Sequence, residues 1–128
     1  MPRPPSELLT DREAQIMEIL WNRGQATADE VRSDLADDPH DSTVRTLLRV
    51  LKEKGYARIT GRQPAVYEPA VPRADVQQSA ARRLLDRFFG GSADELVMRL
   101  LEDEHLSAEQ LEQLKNQFAS QRRTGGRK

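Results

Sequence analysis

Apolar and polar positions over residues 42–55 follow a 3.6-residue period. Val44, Leu47, Leu48 and Leu51 fall at i, i+3, i+4 and i+7 and form one apolar stripe. Arg45, Arg49 and Lys52 occupy another stripe, with Ser42, Thr43 and Thr46 beside them at the N-terminal end. After Gly55 the period changes to two. Residues 56–60 alternate, Gly61, Arg62, Gln63 and Pro64 supply turn chemistry, and residues 65–68 alternate again. This predicts a helix followed by a short β-hairpin, with Arg62 and Gln63 at its tip and Pro69 and Pro72 ending it.

Four further helix starts carry the capping-box pattern of Ser or Thr followed three residues later by Glu or Gln: Thr10/Glu13, Thr27/Glu30, Ser92/Glu95 and Ser107/Gln110. A first helix runs to about Arg23, stops at Gly24, and turns Ile16, Met17, Leu20 and Trp21 inward. A second spans about Ala28 to Ala36 with Val31 and Leu35 inward, and residues 37–40 form a turn. The basic third helix has His40, Asp41 and Ser42 as alternative caps. It lacks a Glu or Gln reaching back, and Arg45 stands where the macrodipole disfavours a cation. A local rule broken in this way points to a site.

Residues 73–122 read as all-helical. The fourth helix, about Asp75 to Phe89, has Leu84, Leu85, Phe88 and Phe89 on more than one stripe, and Gly90-Gly91 stops it. The fifth turns Leu96, Val97, Leu100 and Leu101 inward, and the sixth Leu111, Leu114 and Phe118. About 50 residues of helix do not readily enclose their own core. A second copy of the chain would cover these stripes, which makes them dimerisation candidates; the alternative is that the three helices fold back onto the first domain. Residues 1–6 and 123–128 read as disordered tails.

The fold expected is therefore mainly α with a small β-hairpin wing: a winged helix-turn-helix over residues 7–72, then a helical dimerisation domain over 73–122. Charge sharpens the functional reading. Residues 42–63 hold six Lys or Arg and one acid, in a chain of 128 residues whose formal net charge is −1. Basic charge gathered on one helix and one hairpin is a footprint for phosphate. Arg pairs with guanine edges, and Ser or Thr with bases or phosphates. Ser42, Thr43, Arg45, Thr46, Arg49, Arg58, Arg62 and Gln63 are the candidate DNA contacts. A winged-helix protein-interaction module that reads no bases is the competing function; the basic character of helix and hairpin favours DNA.

Other chemistry is thinly represented. There is no cysteine, so no disulfide and no thiolate metal site. His40 and His105 stand in different domains. The run Glu102, Asp103, Glu104, His105 reads as a solvated acidic helix end rather than a metal site, and Gly90-Gly91 as a helix stop rather than a phosphate loop. Arg82, Arg83 and Arg87 read as a solvated face rather than a phosphate contact. Neither an enzyme nor a cofactor is expected. With no 18-residue apolar run and no secretory apolar core at the N-terminus, a cytoplasmic protein without membrane insertion is expected.

Several of these segments resemble the penicillinase-repressor family in order and spacing. They are residues 9–21, beginning Leu9-Thr10 and ending Leu20-Trp21; residues 42–55; residues 66–69; Phe88-Phe89-Gly90-Gly91; and residues 106–111. The resemblance covers roughly residues 7–118. It implies a dimeric bacterial repressor of an inverted-repeat DNA operator, with Thr43, Arg45 and Thr46 on the recognition helix. In the penicillinase repressors proper it also implies induction by proteolysis at an Asn-Phe pair in the fifth helix, through a membrane sensor-protease. The matching positions here are Arg99 and Leu100, so the inducing route stays open between cleavage by a partner of other specificity and relief without cleavage. The Cys-rich metal-binding tail of related copper-responsive repressors has no counterpart in this chain.

Overall fold

The computed structural model describes residues 8–125, with side chains for residues 8–122. The elements are α1 (Asp11–Arg23), β1 (Ala26–Thr27), α2 (Ala28–Asp34), α3 (Asp41–Lys54), β2 (Ala57–Arg62), β3 (Ala65–Pro69), α4 (Arg73–Phe88), α5 (Ala93–Glu102) and α6 (Ala108–Gly125). They fall into two compact units, Met1–Ala81 and Arg82–Lys128.

The first unit is a winged helix-turn-helix. Thr10 and Thr27 close reciprocal capping boxes with Glu13 and Glu30, so α1 and α2 begin where local chemistry dictates. Gly24, at φ 86°, ends α1. Ile16, Met17 and Leu20 of α1, Val31 of α2, and Val44, Leu48 and Leu51 of α3 are fully buried together. Trp21 is only partly buried against this core, and its indole Nε1 donates to the Val71 carbonyl at 3.0 Å. Arg73 lies 5.6 Å from the Trp21 ring centre and donates to Glu18 (2.8 Å) and Asn22 (2.7 Å). These contacts, with Val76 packed on the core, hold the start of α4 in the first unit. The two compact units therefore divide within α4 rather than at residue 72.

The wing differs from a plain hairpin. β1 pairs antiparallel with β3, giving a three-stranded sheet in the order β1-β3-β2. Two residues show no periodicity, so β1 leaves no trace in the sequence pattern. The β2–β3 register shifts between Ile59 and Gly61, leaving Thr60 as the extra, bulged residue. A Cβ at Gly61 would meet Val66 Cγ2 at 3.3 Å, which is why glycine suits the bulge. Gln63 and Pro64, joined by a cis peptide, form the tip between paired Arg62 and Ala65.

Other sequence expectations are adjusted. α2 ends at Asp34, before Ala36: Leu35 turns extended (φ −86°, ψ 128°) and drives its side chain into the core. His40 is the cap of α3, its Nδ1 accepting from Ser42 N at 3.2 Å. The disorder expected from residue 123 is not found over 123–125, where α6 continues; no helix stop precedes Gly125. The expectations for 1–6 and 126–128 lie outside the described residues.

The second unit is helical. Ser92 caps α5 by accepting from Glu95 N at 3.3 Å, and Ser107 with Gln110 forms a reciprocal pair at the start of α6 (3.0 and 2.8 Å). Gly90 and Gly91 take φ 56° and 81° as α4 ends, with Gly91 N donating to Leu85 O at 2.8 Å. Neither α4 nor α5 has a buried residue. Among the described residues, no helix is long and apolar enough to cross a membrane.

Candidate nucleic-acid interface

The apolar stripe of α3 explains the orientation of its other face. Burial of Val44, Leu48 and Leu51 fixes the helix rotation, and Ser42, Thr43, Arg45, Thr46, Arg49 and Lys52 are then exposed together. Arg45, Thr46, Arg49 and Lys52 line one wall of an open groove of about 370 Å³; Ile59 of β2 and Tyr67 of β3 line the other. Helix and wing thus present one surface, with cations along the helix and an apolar and phenolic wall opposite. Arg58, Arg62 and Gln63 are exposed on the wing but do not line this groove. Ile59 and Tyr67 were not candidates from sequence, because alternation alone does not reveal which wing face looks toward α3.

The cations differ in their surroundings. Arg45 Nε donates to Asp41 Oδ2 at 2.9 Å, and its Nη2 lies 3.9 Å from Asp29 of α2. Arg49 pairs with Glu53 at 3.3 Å and Arg58 with Glu68 at 2.6 Å. Among the described residues, Lys52 and Arg62 have no acidic partner. Exposed pairs such as Arg49–Glu53 are worth little in water, so a phosphate can displace Glu53 from Arg49 at small cost. The hydrogen bond that Arg45 donates to Asp41 is the main reason its guanidinium is held above its usual pKa, with the charges of Asp41 and then Asp29 adding to it.

Two sequence inferences change here. With His40 as cap, Asp41 occupies the first turn of α3 and Arg45 follows one turn later, so Arg45 does not stand uncompensated against the macrodipole. Lys54, one of the six local cations, turns away from the groove: its Nζ donates to Glu13 Oε1 at 2.9 Å and to Leu8 O at 3.1 Å. Glu13 is the only buried charged residue among those described, at 3% exposure. Burial is the largest single influence on its carboxyl and pushes its pKa up. The bonds from Lys54 and from the Thr10 backbone, with the charge of Lys54, outweigh that and leave it below the usual range.

The second unit carries the other candidate set. Leu84 (41%), Phe88 (68%), Leu114 (51%) and Phe118 (59%) are exposed, as is Met98 (54%), which was not singled out from sequence. Leu85, Phe89, Leu96, Val97, Leu100, Leu101 and Leu111 are half-buried. The single chain therefore does not bury α5 and α6 as their stripes suggested, because three short helices offer too little surface to cover one another. Arg99 pairs with Glu102 at 3.4 Å, and the Leu100 carbonyl accepts from His105 N (3.0 Å) and Leu106 N (3.2 Å), so the Arg99–Leu100 bond lies within ordered helix.

Comparison with known proteins places this geometry in context. Residues 9–120 match the family model described as penicillinase repressor. The chain is 27% identical over 109 residues to the penicillinase repressor of Bacillus licheniformis, covering 83% of this chain and 85% of that one. It is 25% identical over 111 residues to the methicillin resistance regulatory protein MecI of Staphylococcus aureus strain N315, covering 84% and 90%. Among solved structures, the DNA-binding domain of the repressor BlaI aligns with 24% identity and a TM-score of 0.48, over 59% of this chain and 93% of that one.

Proposed function

Because the chain belongs to the penicillinase repressor family, we propose that it is a cytoplasmic transcriptional repressor that grips an inverted-repeat operator as a homodimer. The observation that carries this reading is the groove in which Arg45, Thr46, Arg49 and Lys52 stand opposite the wing. α3 enters the major groove, where Arg45 and Thr46 reach base edges and Ser42, Thr43 and Arg49 reach bases or adjacent phosphates. Arg58, Arg62 and Gln63 hold the flanking backbone from the wing. Residues from Leu84 onward on α4, with the stripes of α5 and α6, form an isologous two-fold contact between copies.

Two-fold symmetry in the protein asks for two half-sites about one helical turn, or a multiple, apart. One winged unit makes few contacts. A second on the same dimer binds as an intramolecular event, gaining roughly 10²–10⁴ in avidity. Anything that separates the dimer therefore releases DNA. Two routes fit: cleavage near Arg99–Leu100 within α5 by a membrane sensor-protease, which requires local unfolding of a hydrogen-bonded segment, or dissociation without cleavage. Immunoblotting the repressor in β-lactam-treated host cells separates them: a fragment ending near residue 99 supports the first route, and an intact band with raised target transcripts the second.

The dimer-and-operator reading is tested by selecting duplexes from a randomised library with the full chain and measuring its mass by sedimentation. A palindromic preference and a dimer at micromolar concentration are expected. A monomer, or no sequence preference beyond salt-dependent binding, refutes it.

A further inference from the structure

An acid on a face meant for phosphate needs a reason. Asp41 stands in the first turn of α3, one helical turn before Arg45, beside the groove that faces DNA in the proposed docking. Its charge repels the backbone that Ser42, Thr43 and Arg49 approach. A repulsive group kept in an interface commonly serves discrimination rather than affinity.

The geometry shows what it does instead. Asp41 Oδ2 takes the Nε–H of Arg45 at 2.9 Å. Asp29, from the first turn of α2, stands 3.9 Å from Nη2. A guanidinium has five N–H donors in a rigid planar fork. With Nε–H bonded to Asp41 and Asp29 beyond hydrogen-bond distance of Nη2, the donors on Nη1 and Nη2 remain for a ligand. A guanine edge, with its O6 and N7 acceptors, takes two such donors at once. An unsupported arginine of this length would spend most of its time in other rotamers, or reach for the nearest phosphate. In water the exposed pair is weak; once docking excludes solvent, the same contact strengthens as the effective dielectric falls.

We propose that Asp41, assisted by Asp29, is a specificity-determining positioning residue: it aims the Arg45 guanidinium at a guanine edge and turns it away from phosphate. This rests on the proposed placement of α3 in the major groove. The inference separates two properties that usually move together. Removing Asp41 lowers discrimination at one base pair while raising affinity for arbitrary DNA.

The test is base-preference selection from a randomised duplex library with the full-length chain as wild type, Asp41→Ala, Asp41→Asn, Arg45→Ala and the double variant Asp41→Ala/Arg45→Ala. All are checked for folding by circular dichroism. In the wild type a guanine is expected at one position of each half-site. Arg45→Ala should erase it. Asp41→Ala should flatten the preference at that same position by roughly three- to tenfold, and raise affinity for a non-selected duplex by about two- to fivefold at matched salt. Asp41→Asn keeps an acceptor for Nε–H and should fall between. In the Arg45→Ala background, Asp41→Ala should change no base preference; a role confined to helix capping or the macrodipole would persist there.

Three outcomes overturn the inference. If Arg45→Ala flattens a position and Asp41→Ala leaves it intact, Asp41 does not position the arginine, and the recognition-helix reading survives. If Asp41→Ala flattens a different position, and still does so without Arg45, the carboxylate itself accepts from a cytosine amine. If Arg45→Ala leaves every preference unchanged, the recognition-helix reading falls, and this inference with it.

Discussion

Replacing Lys54 with methionine strips Glu13, the one buried acid among the described residues, of its cation, and the structure sets both the size and the pH dependence of the effect. Glu13 is 3% exposed, and its Oε1 accepts from Lys54 Nζ and from Thr10 N, each at 2.9 Å. Lys54→Met keeps the apolar stem but leaves the carboxylate with the capping-box N–H alone. Removing one partner of a fully buried pair costs about 3–5 kcal/mol; because the Lys54 side chain keeps 18% exposure and water can approach, about 2–4 kcal/mol is expected here. In the wild type Glu13 titrates below its ordinary range. Its contribution is therefore present above the unfolded pKa and lost as pH falls through the folded one. In Lys54→Met the bond and charge of Lys54 are gone, burial is opposed only by Thr10, and the folded pKa rises from its wild-type position. The penalty of the variant is then largest near neutrality and relieved as the carboxyl protonates on acidification. The chain's single tryptophan, Trp21, bonded to Val71 O at 3.0 Å, reports on unfolding of this unit alone. Urea titrations followed by Trp21 emission should show the full difference near pH 7 and a much smaller one near pH 4.5. A melting point lower by on the order of 10–25 °C at neutral pH should accompany it. A difference under about 0.5 kcal/mol near pH 7, or one that grows toward acid, would refute the view that Lys54 serves the core rather than DNA.

The remaining expectations concern DNA and assembly. Arg45→Ala should weaken binding to a selected duplex by roughly 5- to 150-fold, with a much smaller effect on arbitrary DNA, measured by fluorescence anisotropy at one salt concentration. Arg62→Ala should weaken all sequences about equally and reduce the slope of log affinity against log salt by about 1. A chain ending at Ala81 should remain a folded monomer by sedimentation and lose at least about 100-fold in affinity for a two-half-site duplex. A chain ending at Pro72 lacks Arg73 and Val76, which pack on Trp21 and the core; Trp21-monitored melting should therefore find it less stable than the chain ending at Ala81.

What the sequence reveals depends on how local each determinant is. The helix starts at Thr10, Thr27 and Ser107 were legible because donor and acceptor lie three residues apart and the pattern contains the whole interaction. The core side of α3 was legible for the same reason: Val44, Leu48 and Leu51 need only helical geometry to share a face. Lys54 was not. By composition it counts among the six local cations, although two residues beyond Lys52 it falls on the other side of α3; its partner lies 41 residues away, and only the packing of α1 against α3 brings the two together. The Asp41–Arg45 pair sits between these cases. Its spacing of four was visible in the sequence. Its meaning depended on His40 being the cap, which sets where the first turn begins and makes Asp41 part of the helix rather than of the turn before it.

The apolar stripes of α4, α5 and α6 show the opposite limit. Their positions are plain in the sequence, yet Leu84, Phe88, Leu114 and Phe118 remain exposed in the single chain. A stripe specifies that something must cover it, and the covering surface need not belong to the same chain. Exposed aromatics of this size are expensive to leave in water, at roughly 1.5–3 kcal/mol for each side chain that a partner could bury. In the dimer proposed above, the three helices are half of a shared core. If so, the stability of the second unit and occupancy of DNA are governed by one variable, the concentration of the dimer. Substituting Phe88 with serine should consequently lower DNA affinity without altering base preference, because it acts on assembly and leaves the surface of α3 untouched.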